Sequence, residues 1–166
     1  MRIFKKALIT GISGSGGSYL AEYIIKNQKK TKVYGIYRKR TENLTNLIKE
    51  RSNLIKCDLN NYKKVLHSIK KINPDVIFHL ASNADVKKSF NYPREIINNN
   101  NNCTLNLLEA IREAEINPII QVCSTSEVYG MVNKKETPIK ESNPFRPASP
   151  YAVSKAFQDL VAQNYH

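Results

Sequence analysis

Tyr151 and Lys155, in the run Tyr-Ala-Val-Ser-Lys, stand four residues apart and share a face if that run is helical. A phenol ordinarily titrates near ~10, and an ammonium group beside it favours the phenolate. A tyrosine so placed is a usable general base near neutral pH. Upstream, Ser124-Thr125-Ser126-Glu127 brings three hydroxyls and a carboxylate together, a set able to hold a substrate oxygen and to move a proton. A Tyr–Lys pair at this spacing arises by chance in many helices, so its weight comes from company. Near the start, Gly11-Ile12-Ser13-Gly14-Ser15-Gly16-Gly17 sets glycines at every third position, 11, 14 and 17. Between a strand and a helix, such a loop presents unpaired N–H groups to a pyrophosphate, and glycine lets the backbone approach closely. Out of that context it is an ordinary glycine-rich turn; within it, the loop reads as a dinucleotide site.

The elements around these residues supply that context. Ala7-Leu8-Ile9-Thr10 reads as a short buried strand, and the helix after the glycines repeats its apolar residues at Leu20 and Ile24, Ala21 and Ile25. Val33 to Tyr37 is the second strand, and 38–52 a polar loop with a short helix around Leu44 to Ile48. Leu54 to Cys57 is the third strand; Tyr62, Val65, Leu66, Ile69 and Ile72 mark a helix face that Asn73-Pro74 ends. Val76 to Leu80 is the fourth strand, and one long helix carries Leu107, Leu108, Ile111 and Ala114. The asparagine run 98–102 leads into that helix and needs no disorder. Asn117-Pro118 precedes the fifth strand, Ile119 to Cys123; a Pro-, Lys- and Glu-rich loop covers 131–149, and Pro150 opens a last helix. Strand and helix alternating in this order predict an α/β fold, a Rossmann-type doubly wound parallel sheet. Hydroxyls at the end of the fifth strand would then face the crevice where such sheets bind ligands.

Composition narrows the field. At 166 residues and 41% hydrophobic, the chain is one domain's worth and can bury a core. No apolar run is long enough to span a bilayer, and Met1 to Lys6 passes into the first strand without a signal-peptide pattern. The three cysteines, Cys57, Cys103 and Cys123, lack CxxC spacing, so neither a disulfide framework nor a metal site is expected. A reduced, cytoplasmic setting and no membrane association are the expectation. The net charge of +12 lies in residues 1–83, with 17 Lys and Arg against 5 acids; residues 84–166 hold 9 against 9. The lysines come as scattered pairs on expected helix surfaces, without the Arg-rich, aromatic-interleaved stripe of nucleic-acid readers, so no nucleic-acid partner is expected.

The end of the second strand bears on which dinucleotide is bound. An acid there would hold the ribose 2′-hydroxyl of NAD, whereas arginine accepts the 2′-phosphate of NADP. Here the strand runs out as Tyr37-Arg38-Lys39-Arg40, with no acid before Glu42. NADP is the expected cofactor, with Arg38 on its phosphate.

Together these residues resemble an extended short-chain dehydrogenase/reductase: Thr10-Gly11-x-x-Gly14-x-x-Gly17, Cys57-Asp58-Leu59, His79-Leu80-Ala81 and Tyr151-x-x-x-Lys155. Within that superfamily the chain is most similar to the GDP-mannose 4,6-dehydratase family. That likeness is carried by Gly17-Ser18-Tyr19-Leu20-Ala21-Glu22, by Ser124-Thr125-Ser126-Glu127-Val128-Tyr129-Gly130 and by Ser149-Pro150-Tyr151. Sugar-nucleotide epimerases of the superfamily usually have a small residue where Glu127 stands.

The resemblance implies the following roles. The glycine loop from Gly11 through Ser13, Gly14, Ser15 and Gly16 to Gly17 holds the pyrophosphate. Asp58 and Leu59 meet the adenine, and Leu80, Ala81 and Ser82 line the ribose and nicotinamide side. Tyr151 takes the proton of the sugar C4 hydroxyl, Lys155 holds the nicotinamide ribose and favours the phenolate, and Thr125 bonds the C4 oxygen. Glu127 removes the C5 proton and helps expel the C6 hydroxyl as water. The implied partner is GDP-mannose or a related nucleotide sugar, and the complete protein is expected to be a homo-oligomer. Cys103 stands where the family commonly has glycine in Asn100-Asn101-Asn102-Cys103-Thr104, which bears on the Asn100 assignment. Residues 1–166 read as an incomplete NAD(P)-binding domain, ending after the fifth strand and the Tyr151 helix and lacking the C-terminal substrate-binding portion. Three readings stay open here: the dehydratase, its sister GDP-4-keto-6-deoxymannose reductase or another sugar-nucleotide epimerase/dehydratase, and a non-catalytic nucleotide-binding fragment.

Overall fold

A computed structural model describes residues 4–165. The expectations placed on Met1 to Ile3 and on His166 lie outside the described residues. The described chain forms two compact units: residues up to Ser82 with Asn102–Cys123, and Asn83–Asn101 with residues from Ser124 onward.

The first unit contains a five-stranded sheet in the order β3-β2-β1-β4-β5, with every neighbouring pair parallel. Its strands are β1 (Lys6–Thr10), β2 (Lys32–Tyr37), β3 (Ser52–Lys56), β4 (Val76–His79) and β5 (Ile119–Val122). The order reverses at β1 and β4, the topological switch point of a Rossmann fold, as the alternation of elements predicts. Three helices complete the connections within this unit: α1 (Ser15–Asn27), α2 (Asn46–Arg51) and α3 (Tyr62–Ile72).

Side chains alternate across the strands and supply two cores. Leu8, Ile36 and Ile77 pack with Val65, Ile69 and Ile72 of α3 and with Cys103, Leu107 and Ile111. Ala7, Ile9, Val33, Tyr37 and Val76 turn the other way, onto Ala21 and Ile24 of α1 and Ile48 of α2. Both faces of the parallel sheet are thus apolar, as burial between helix layers requires.

The second unit contains α4 (Val86–Asn91) and α6 (Pro150–Asn164), and α5 (Pro93–Glu113) contributes residues to both units. Three differences from the sequence reading have local causes. Helix α4 went unpredicted because its six residues show no apolar period; it forms on the cap of Asp85, whose Oδ1 accepts the Lys88 N–H at 2.8 Å. Helix α2 begins two residues later than expected, since Thr45 caps it at the Ile48 N–H and leaves Leu44 outside. Strand β3 starts at Ser52, before its first apolar residue, because an edge strand pairs through backbone whatever its side chains are. It ends at Lys56, and Cys57 continues the ladder by a single bond to the Tyr37 carbonyl, 3.0 Å.

Candidate functional site

The cofactor candidates lie in the first unit. The chain leaves β1 at Gly11 with φ +73°, where a Cβ would meet the Ala81 backbone at 2.9 Å. The Gly14 N–H turns back to the Gly11 carbonyl at 2.9 Å, and Gly14 is the N-cap of α1, bringing no side chain of its own. The first intrahelical bond is Ser18 N–H to the Gly14 carbonyl, 2.9 Å, so the N–H groups of Ser15, Gly16 and Gly17 precede the ladder. A Cβ on Gly17 would lie 2.3 Å from the Gly11 carbonyl oxygen, so only glycine lets α1 sit this close to β1. Ser13 is half-buried, and its carbonyl accepts from Thr41 Oγ1 at 2.5 Å and Asn43 Nδ2 at 3.3 Å. Thr41 and Asn43 were missed in the sequence, where they are unremarkable loop residues.

Beyond β2, Arg38, Lys39 and Arg40 are exposed while Tyr37 is buried. Arg40 folds back onto Tyr37: its Nε donates to the phenol oxygen at 3.4 Å and its guanidinium lies 6.0 Å from the ring centroid. Asp58 is exposed, with Oδ1 accepting from the backbone and side-chain nitrogens of Asn60 at 3.0 and 3.1 Å. Leu59 is buried in the core, and its carbonyl accepts from Asn106 Nδ2 at 2.7 Å. Leu80, Ala81 and Ser82 continue from β4 half-buried, and the Ala81 N–H donates to Thr10 Oγ1 at 3.3 Å. Ser82 Oγ is buried without a hydrogen-bond partner. A buried hydroxyl costs free energy unless paired, so Ser82 invites a ligand atom. His79 is a buried polar strut, its Nδ1 2.8 Å from Thr10 Oγ1 and its Nε2 2.9 Å from Thr104 Oγ1.

The proton-transfer candidates lie in the second unit. Ser149 caps α6 through the Ala152 N–H, 3.0 Å, and Pro150 takes the first helical position, where its missing N–H costs nothing. Tyr151 and Lys155 follow on that helix, both buried. Glu127 lies in a 3₁₀ turn, Ser126–Tyr129, that Thr125 caps, its Oγ1 accepting the Glu127 N–H at 3.4 Å. Gly130 ends the turn at φ +61°, and a Cβ there would meet the Arg146 carbonyl oxygen at 2.0 Å. The Arg146 N–H returns to the Val128 carbonyl at 2.8 Å, tying this turn to the chain leading into α6. Ser149 Oγ, besides capping, donates to Glu127 Oε2 at 3.3 Å. One hydroxyl therefore joins the carboxylate to the start of the Tyr151 helix.

Asn100 keeps a well-defined position despite Cys103. Buried on α5, its Oδ1 accepts the Asn83 N–H at 2.7 Å and its Nδ2 donates to Ser154 Oγ at 2.9 Å. Gln158 Nε2 donates to the Asn100 carbonyl at 3.0 Å, and Ser154 Oγ to the Tyr151 carbonyl at 2.7 Å. Cys103 is buried in the helical interior of α5, where burial and then the Asp58 charge push its thiol up to about 12. Cys57, Cys103 and Cys123 form no disulfide among the described residues. No described helix is long and apolar enough to cross a membrane.

The model of the family described as GDP-mannose 4,6 dehydratase matches residues 8–166. A GDP-mannose 4,6-dehydratase of Yersinia enterocolitica is 36% identical over 173 residues, covering 97% of this chain and 45% of that protein. The Caenorhabditis elegans GDP-mannose 4,6 dehydratase 2 is 37% identical over 175 residues, with the same coverage of 97% and 45%. This chain thus spans a little under half the length of these curated relatives. Among solved structures, the UDP-N-acetylglucosamine 4-epimerase of Methanobrevibacter ruminantium M1 is similar with a TM-score of 0.84 and 33% identity, over 98% of this chain and 50% of that one. The Brucella ovis UDP-glucose 4-epimerase in complex with NAD, at 20% identity and a TM-score of 0.86, covers 97% of this chain and 47% of its own, and shows the fold alone.

Proposed function

Because the chain belongs to the GDP-mannose 4,6-dehydratase family, we propose that it carries the NADP-binding and proton-transfer residues of a dehydratase converting GDP-mannose to GDP-4-keto-6-deoxymannose. The observation that carries this reading is the bond from Ser149 Oγ to Glu127 Oε2, which couples a carboxylate to the helix of Tyr151 and Lys155. A dehydrogenase needs only the tyrosine and lysine; a carboxylate fastened beside their helix is what an elimination adds.

The first unit suits a dinucleotide. Gly11 and Gly17 leave no room for a side chain, three helix N–H groups precede the ladder, and Ser82 offers an unpaired hydroxyl. Arg38 would take the 2′-phosphate and Asp58 the adenine end. When bound, NADP would supply the acceptor for the C4 hydride and the donor that returns it to C6, so that its oxidation state is restored at the end of each cycle.

The protein's own groups handle the protons. Tyr151 as phenolate takes the proton of the C4 hydroxyl, with the Lys155 charge favouring the phenolate and the Thr125 hydroxyl donating to the C4 oxygen. The resulting ketone acidifies the C5–H bond. Glu127 removes that proton and passes it to the C6 hydroxyl, which leaves as water. The proton stored on Tyr151 returns at C5, which closes the balance at loss of one water. The partner is accordingly a nucleotide sugar, and GDP-mannose is the specific substrate proposed.

The test uses a protein of full family length that includes this chain. Incubated with GDP-mannose and NADP+, it is expected to release water and form the keto sugar while NADPH does not accumulate. Stoichiometric consumption of NADPH on the keto sugar, without dehydration of GDP-mannose, would establish the sister reductase instead.

A further inference from the structure

We propose that Thr41 and Asn43 are positioning residues for the dinucleotide loop, holding the peptide plane between Ser13 and Gly14 in one orientation before any ligand arrives. The inference rests on the dinucleotide reading of the glycine loop. It starts from the two ends of that peptide. Its carbonyl accepts from Thr41 Oγ1 at 2.5 Å and from Asn43 Nδ2 at 3.3 Å. Its N–H donates to the Gly11 carbonyl at 2.9 Å. The plane is therefore pinned at both ends, once from within the loop and once from a segment some thirty residues away.

The need for a pin follows from the residue that carries the N–H. Gly14 lacks a Cβ and explores backbone conformations that other residues avoid, so this peptide would otherwise turn over easily. Turning it would break the bond to the Gly11 carbonyl and displace the loop end from which the Ser15, Gly16 and Gly17 N–H groups are proposed to meet a bound diphosphate. Those donors would then lose their alignment where an anion needs them. Fixing the plane in advance removes that alternative and its ordering cost on binding. The donors come from the segment that leaves β2 through Arg38, so the residue proposed to sense the 2′-phosphate and the loop proposed to hold the pyrophosphate are mechanically joined. The clamp acts on the pyrophosphate loop, which NAD and NADP use alike. Its loss should therefore weaken both, and by the same factor.

Calorimetric titration of the 166-residue chain with NADP+ and with NAD+ tests this. Thr41 is exposed, so Thr41→Val should keep the fold, which circular dichroism checks. Thr41→Val is expected to weaken both dinucleotides equally, by about fivefold for one lost hydrogen bond, and adding Asn43→Ala should weaken them further. Thr41→Ser, which keeps the hydroxyl, should restore wild-type affinity. Arg38→Ala should instead weaken NADP+ selectively. Loss confined to NADP+ in Thr41→Val would make Thr41 a direct phosphate contact and overturn the proposal. Unchanged affinities in both Thr41→Val and the double variant would overturn it as well. If the wild-type chain binds neither dinucleotide, the cofactor reading falls and the clamp with it, a result visible before any variant is made.

Discussion

In the proposed mechanism Glu127 separates an elimination from simple hydride chemistry, and its surroundings explain how a flexible carboxylate is kept in place. It is half-buried, its N–H is bonded to Thr125 Oγ1, and its Oε2 accepts from Ser149. In a protein of full family length, Glu127→Gln is expected to lower the dehydration rate about 10²- to 10⁴-fold, the usual worth of a positioned acid–base group. NADP+ affinity, measured by titration of the same variant, should stay within about twofold of wild type, because the amide keeps the size of the carboxylate. Cys103 gives a pH-dependent prediction of a different kind. Burial raises its folded-state pKa to about 12 from an ordinary value of 9.0, so in between the unfolded chain releases a proton that the native state keeps. Fewer protons on the unfolded state means that stability falls as pH rises through that window. Urea melts should show a steeper fall in stability between pH 9 and 12 for wild type than for Cys103→Ala. The candidate residues could be picked from the sequence because each sits in a local pattern: Tyr151 and Lys155 by helical spacing, the glycines by their threes. The residues that hold them were not. Thr41 lies 28 positions from Ser13 and Ser149 lies 22 from Glu127, and no periodicity relates segments so far apart.

Helix α1 sits on β1 only because Gly17 has no side chain, and two neighbouring glycines make that testable. A Cβ at Gly17 would overlap backbone, the Gly11 carbonyl at 2.3 Å and Ile12 Cα at 2.8 Å, which cannot swing aside as a side-chain tip can. Gly17→Ala must push the helix off the strand, at a cost of about 1–3 kcal/mol and a melting point lower by several degrees. At Gly16 the nearest contact is the Leu80 Cδ2 tip at 3.4 Å, ordinary packing distance. Gly16→Ala should melt at or above wild type, since alanine favours a helix by up to ~1 kcal/mol over glycine. Differential scanning calorimetry of the two variants gives the comparison, and equal losses would refute the backbone-overlap argument. At this scale the sequence served well where burial sets the pattern. The five strands and the apolar faces of α1 and α3 read directly, because the sheet is covered on both sides. It served poorly where capping or edge pairing decides. Helix α4 depends on Asp85, the start of α2 on Thr45, and the start of β3 on a neighbour's backbone.

At the scale of the whole chain, charge and length pull on function separately. The excess of positive charge in residues 1–83 coincides with the glycine loop and Arg38, where an anionic dinucleotide is proposed to bind. Residues 84–166 are balanced and hold Thr125, Glu127, Tyr151 and Lys155. The 166 residues span about 45% of the length of their curated relatives. If the relatives use their remaining length to enclose the sugar, as the resemblance implies, binding of cofactor and turnover of substrate should come apart in this chain. Cofactor recognition as proposed uses the loop, the β2 end and Ser82, all within this chain. Turnover needs in addition a sugar held against Tyr151 and Glu127, and such positioning is worth ~7–11 kcal/mol of a barrier. Without walls to hold the sugar, chemically competent side chains would meet it too rarely and at poor angles. The 166-residue chain should therefore bind NADP+ measurably and yet release no detectable keto sugar from GDP-mannose. Calorimetry with NADP+ and product analysis on the same preparation decide both halves. Turnover comparable to a full-length relative would mean that the residues described here already hold the sugar. Absence of dinucleotide binding would remove the cofactor reading of the glycine loop.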